Sequence, residues 1–174
     1  MGSFPSCCCC CRRRRRPPPL REARLPAAGP RSDADFSLDG LELRAAFVGP
    51  AAVDGDTLRL RVRPWGPAGP QVQFLARLAG IDAPELHPPK GGLCHAEGRE
   101  REVAAARAAR DALTALAARG APLGLTAACG KFDKYGRLLV RLSAPGAGDF
   151  AAALLAAGHA VPYAGGKKPT FVPR

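Results

Sequence analysis

The chain has 174 residues, with 26 Lys and Arg against 15 Asp and Glu, a formal charge of +11 and a sequence pI near 10.0. That length fits one domain with its own core and excludes two of ordinary size, and no run of about 20 apolar residues is present to span a bilayer. The positive balance points to a polyanionic partner, but it is uneven: residues 1–31 hold eight Arg against one Glu, which leaves only +4 for the rest.

In chain order, residues 1–32 come first and have no apolar period. A Cys run (Cys7 to Cys11) and an Arg run (Arg12 to Arg16) precede a mixture of Pro, Ala and Arg. Such a segment cannot bury enough surface to offset its ordering entropy, and it is expected to be disordered, leaving 33–174 as the folded domain. The opening "MGSFPS" fits the N-myristoylation pattern with Gly2 as the acylated residue. Cys7, Cys8, Cys9, Cys10 and Cys11 are palmitoylation candidates, and the five Arg would attract anionic lipid. One acyl chain holds a membrane only marginally, so the added signals are what make residence stable. Contiguous Cys lack the gap of thiolate zinc sites, and bridges between neighbours are strained. A secretory signal is a poor alternative because the apolar h-region is absent. The expected address is the cytosolic face of a membrane, the plasma membrane first. A nuclear or nucleic-acid-directed Arg run is the competing reading. Gly2→Ala separates the two in a localisation assay: release from membranes is expected, and retention there would overturn the myristoyl assignment.

From Phe36 onward, apolar alternation in 41–48 ("LELRAAFV"), 57–63 ("TLRLRVR") and 72–78 ("VQFLARL") predicts three half-buried strands in a meander. Residues 97–118 are rich in Ala, Arg, Glu and Leu, with Val103, Ala106, Leu113 and Leu116 near helical spacing and Gly120 as the stop. Strands are expected over 121–127 ("APLGLTA") and 136–143 ("GRLLVRLS"), then a short helix "FAAALLAA" capped by Asp149 and ended by Gly158. Three strands, a helix, two strands and a helix suit an α+β fold built on a small five-stranded β-barrel of the oligonucleotide-binding (OB) type.

The chemistry is concentrated in three short strings, "VDGDT" (53–57), "RLAGIDAPE" (77–85) and "DKYGR" (133–137). Each alone reads as a polar turn, since Asp-Gly is common in turns for conformational reasons. Taken together they supply Asp56 and Asp82, hard oxygen donors of the kind that hold calcium or magnesium. They also supply Arg77 and Arg137, whose guanidiniums clamp phosphate with two parallel hydrogen bonds and keep their charge. Arg59, Arg61 and Arg63 alternate on one strand and are read as its wet face. Arg77 sits among apolar neighbours, where a charge requires a partner.

These strings, with "RLAGIDAPELHP" extending the second, "DKYGRLLV" the third, and "LLAAGHAVPYAGGKK" (154–168) following, resemble the staphylococcal nuclease family. The resemblance runs from about Leu41 to Lys168, in the family's order and with compatible spacing. It implies a five-stranded OB barrel with flanking helices and a calcium-dependent nuclease acting on DNA and RNA. By position, Asp56 and Asp82 match the calcium carboxylates, Ala83 the residue whose carbonyl reaches the ion, and Asp54 an outer support. Glu85 matches the carboxylate that activates or orients water, and Arg77 and Arg137 the pair on the scissile phosphate. Lys134 and Tyr135 match positions beside a terminal phosphate, and Tyr163 a pocket wall.

Two departures stand out. Ala83 replaces the family's Thr, which leaves the carbonyl ligand in place. The family's final helix has no counterpart, and residues 33–40 are the candidate replacement packing. The rival function is a nucleic-acid-binding module without turnover, held at a membrane by the same tail, with no protein partner indicated. Cys94 and Cys129 are expected as lone thiols in a reducing compartment. His87, His95 and His159 lack ligand spacing and are read as structural or surface groups.

Overall fold

The computed structural model describes residues 37–87 and 96–166. The lipidation candidates Gly2 and Cys7 to Cys11, together with Cys94, His95 and Lys168, lie outside them. The described elements are β1 (Glu42–Phe47), β2 (Thr57–Val62), β3 (Val72–Leu78), β4 (Ile81–Asp82), α1 (Ala96–Gly120), β5 (Leu125–Phe132), β6 (Leu138–Ala144), β7 (Gly148–Asp149), α2 (Phe150–Ala156) and β8 (Val161–Pro162).

Alternation explains the barrel. Along β2 the apolar side chains Leu58, Leu60 and Val62 are buried while Arg59 and Arg61 are exposed, as a strand with one wet face requires. Leu125, Ala127 and Cys129 of β5, and Leu138, Val140, Leu142 and Ala144 of β6, point into the same core. The sheet order is β3–β2–β1–β5–β6–β7, and β6 returns to pair with β3, which closes a five-stranded mixed barrel. All the main pairings are antiparallel except β3 with β6, which run parallel with Arg77 opposite Leu139. A parallel closure needs a long crossover, and the segment containing α1 and β5 provides it. The barrel with two helices is an OB-like α+β fold, as the order of elements implies.

Helix α1 packs through Ala106, Ala109, Leu113, Leu116 and Ala117, an apolar stripe on an otherwise polar helix. In α2 the Asp149 carboxylate accepts from the Ala152 N–H at 2.9 Å, the expected cap, and Phe150 and Leu154 enter the core. Leu38, from the segment before β1, is also a core residue. Among the described residues no helix is long and apolar enough to cross a membrane.

The fourth main strand is displaced from its expected place. Residues 121–127 do not form it: Gly120 continues α1 instead of stopping it, Ala121–Leu123 make a 3₁₀ turn around Pro122, and β5 begins at Leu125. The true break is Gly124, whose φ of 87° is costly for any residue with a Cβ. Gly136 and Arg137 belong to the turn before β6, and the two-residue strands β4, β7 and β8 are additional.

Candidate active site

Asp56 lies at the end of a tight turn. Thr57 N–H donates to the Asp54 carbonyl at 3.4 Å, and the Thr57 carbonyl accepts from Val53 and Asp54 at 2.8 and 3.0 Å. Gly55 is required there by space: a Cβ would come within 2.7 Å of both Ala109 in α1 and Ala83. The turn is thereby pressed between the helix and the segment after β4.

Directly across, Thr57 pairs with Arg77 on β3. By strand parity Arg77 faces outward with Gln73 and Leu75, yet it is only 7 % exposed. Its charge finds two partners. Nη1 lies 2.6 Å from Asp56 Oδ2 and Nη2 lies 2.6 Å from Asp82 Oδ1, while Nη2 also reaches the Ile81 carbonyl at 3.4 Å. Asp82 is in β4, held by pairing with β8, and not in the polar turn that its string alone suggests. The second oxygen of Asp56 accepts from the Thr57 hydroxyl at 2.7 Å, and the Ala83 N–H approaches Oδ2 at 3.4 Å. No buried side-chain polar atom among the described residues lacks a hydrogen bond.

Burial pushes the Asp56 carboxyl above the usual carboxylate value, and the neighbouring Asp82 charge adds to this; Arg77, Thr57 and the Ala83 N–H pull the other way without reversing it. Burial also works against the Arg77 cation, but Asp56 and Asp82 outweigh it and hold the guanidinium above its ordinary value.

Arg137 enters the same cleft from the turn before β6. That cleft, about 220 Å³, is lined by Asp54, Asp56, Arg77, Ala83, Glu85 and Arg137, with Pro84, Leu86 and His87 at its margin. Glu85 is half-buried there. The structure thus brings Asp54, Asp56, Arg77, Ala83, Glu85 and Arg137 to one depression, with Asp82 joined to it through Arg77. A second depression of about 330 Å³ shares Arg77 and Arg137 and adds Asp133, Lys134, Tyr135 and Tyr163. Tyr135 is 70 % exposed, with Lys134 Nζ 4.9 Å and Arg137 Cζ 5.4 Å from its ring centre. The Tyr163 hydroxyl donates to the Gly166 carbonyl at 2.8 Å.

The sequence reading did not single out Asp133. Its Oδ2 accepts from Arg137 Nε at 2.7 Å and lies 2.7 Å from Nη2, while Oδ1 accepts the backbone N–H groups of Tyr135 and Arg137, each at 2.9 Å. One carboxylate therefore organises the turn and orients the guanidinium. The detectable signal was an Asp four residues before an Arg across a Gly turn. Burial favours the neutral acid, but the backbone and side chain of Arg137 and the backbone of Tyr135 prevail and hold Asp133 below the usual value. A depressed carboxylate adds stability above its unfolded pKa, and that contribution is lost as pH falls through the folded one. Asp133→Asn is expected to lower the urea midpoint near neutral pH, and the gap to the parent protein should close in acid. A gap independent of pH would show that the charge is not what matters.

For a metal, the cleft offers the carboxylates of Asp54, Asp56 and Glu85, with Asp82 joined to it through Arg77, all hard oxygens. This set fits calcium or magnesium in chemical type. Among the described residues no group of three or more His, Cys, Asp or Glu is assembled as a metal site. His87 is exposed at the cleft margin and His159 is half-buried behind α2. Cys129 is a buried free thiol that burial pushes up, inert by environment. In comparisons with known proteins, no family model and no curated protein matches the chain.

Proposed function

We propose that this protein is a calcium-dependent nuclease of the staphylococcal nuclease type, hydrolysing phosphodiester bonds in DNA and RNA. The observation that carries this reading is the meeting of Arg77 and Arg137 in one cleft with Asp56, Asp82 and Glu85 around them. Asp56, Asp82 and the Ala83 carbonyl would hold the cation, with Asp54 behind them, and the bound ion would supply charge neutralisation at the phosphate oxygens.

The side chains account for the rest. Arg77 and Arg137 bind the non-bridging oxygens of the scissile phosphate and gain strength as negative charge builds there in the transition state. Glu85 orients a water in line with the leaving oxygen and accepts its proton as the new P–O bond forms and the ester P–O bond breaks. Lys134 and Tyr135 would meet a terminal phosphate, with Tyr163 as a wall; that the three share a depression with Arg77 and Arg137 supports this. The pairing of Arg77 with two carboxylates keeps the cationic site neutralised before substrate arrives. Asp133 pre-orients Arg137 in the same way.

Because both guanidiniums already have carboxylate partners, a second reading is a binding module without turnover. Incubation with single-stranded DNA, double-stranded DNA and RNA distinguishes the two. Cleavage of all three with calcium, stopped by a chelator and restored by added metal, is expected. Binding without cleavage would favour the module. In either case the basic, acylated tail proposed from residues 2–16 would place the activity at a membrane surface.

A further inference from the structure

We infer that the groove between β1 and the turn after β2 is a docking site for an anionic phospholipid surface, holding the barrel with its cleft set back from the bilayer. The groove, about 440 Å³, is lined by Arg44, Arg61, Arg63 and Gln71, with Ala46 and Pro67 among the apolar groups between them and Glu42 as its one acidic side chain. Thr57 begins β2 beside the cleft and Arg61 lies four residues on, which puts the groove about 13 Å away along the strand. Arg61 stands opposite Ala46, and Arg44 is the next outward residue of β1. Arg63 Nη1 donates to the Gly69 carbonyl at 2.5 Å, which fixes the turn at the groove's rim. All three arginines are exposed, and among the described residues none is ion-paired, whereas Arg77 and Arg137 each have a carboxylate. Three unneutralised guanidiniums around a hollow call for an external anion, and guanidinium meets phosphate with two parallel hydrogen bonds.

Trp65 decides between anions. It stands on the rim turn, where the Gly66 N–H donates to the Arg63 carbonyl at 3.2 Å, and it is 54 % exposed. An indole suits the boundary of an apolar phase with water, because its ring is apolar and its N–H is polar. Basic groups near an anionic leaflet are drawn to it within a Debye length. A nucleic-acid strand needs rings on which successive bases stack, and no aromatic side chain lines the groove itself. A free phosphate would engage the guanidiniums and leave the indole in water. The head of the chain points the same way, since "MGSFPS", the Cys run and the Arg run are read as lipid-directed. Tail and groove are two weak contacts on one chain, and once the first is made the second is intramolecular. The tail supplies residence and the groove supplies orientation.

This docking rests on neither the nuclease reading nor acylation of the tail. Trp65 is the chain's single Trp, so its fluorescence reports the groove's rim and not the tail. The full chain, made without acyl groups, is titrated with phosphatidylcholine vesicles with and without phosphatidylserine. With phosphatidylserine, the emission of Trp65 should shift to the blue and be quenched by lipids brominated on their acyl chains; with phosphatidylcholine alone, neither should occur. Arg44→Gln/Arg61→Gln leaves the Arg63 tether intact and should weaken vesicle binding by about thirtyfold, with an unchanged urea midpoint because both side chains are exposed. Arg107→Gln/Arg119→Gln removes the same charge from exposed positions of α1 and should have little effect. Vesicle binding with Trp65 unresponsive would mean that the tail alone holds the chain, and overturns the docking site. Equal weakening by the two double variants would assign the effect to net charge and also overturn it. So would a Trp65 response to single-stranded DNA with none to vesicles, which would give the groove to nucleic acid. The predicted vesicle pattern in a protein that cleaves nothing would retain the docking site and overturn the nuclease reading.

Discussion

Replacing Arg77 with Met is expected to abolish phosphodiester cleavage and, unusually for a substrate-binding residue, to destabilise the fold. The activity loss should be about 10²–10³-fold or more, the scale for removing one donor to a developing oxyanion. The stability loss follows from burial. Arg77, Asp56 and Asp82 are all nearly inaccessible, and deleting the cation leaves two carboxylates 2.6 Å from a partner that no longer exists. Breaking a buried ion pair from one side costs about 3–5 kcal/mol. The effect has a pH signature. Asp56 already has a raised pKa, and loss of Arg77 raises it further. A carboxyl raised in the folded state contributes stability below its unfolded value that is lost as pH rises through the folded value. The variant's deficit should therefore be largest near neutral pH and smaller in mild acid, as read from urea midpoints. Calcium should raise the variant's midpoint more than the parent's, because the cation takes over the missing charge; equal shifts would argue against metal binding by these carboxylates.

Glu85→Gln is expected to act on rate alone. Loss of a general base typically costs about 10²–10⁴-fold, and the amide keeps the shape of the acid. Glu85 is only half-buried at the cleft margin, so the denaturation midpoint should hardly move. Calcium affinity, measured by titration, should be nearly unchanged because Asp56 and Asp82 remain. Near-normal turnover would remove Glu85 from the chemistry, and a large change in midpoint would make it a structural residue instead. Together the two variants separate holding the phosphate from activating the water.

The parts of the fold that were legible in the sequence are those decided by alternation. The strands at 57–63 and 72–78 end within a residue of their predicted bounds because Leu58, Leu60 and Val62 are apolar at every second place. The strand after α1 was misplaced because Ala121, Pro122, Leu123 and Gly124 are ambiguous locally. Their conformation is set by the 3₁₀ turn and by the pairing of Leu125 with Ala45. Two-residue strands such as β4 have no period to read, since they exist only through a partner distant in sequence. At the site, the identities of Asp56, Arg77, Asp82 and Arg137 could be read, and so could the need of Arg77 for a counter-charge. The bridging of two carboxylates by one guanidinium could not, because it depends on where β4 is held by its pairing with β8, a strand distant in sequence. Nor could the hold of Asp133 on Arg137, which is a matter of turn geometry.

The parallel seam between β3 and β6 has a consequence for the life of the chain. The cleft's two guanidiniums sit on either side of that seam, and the residues that pair across it are far apart in sequence. During synthesis, Asp56, Arg77 and Glu85 leave the ribosome long before Arg137 does. A nascent chain therefore carries the first half of the cleft with no second half to complete it. The loop that must be closed is long, and closure of such contacts is a late and slow event in folding. Any property that requires both guanidiniums is therefore absent until nearly the whole domain has emerged.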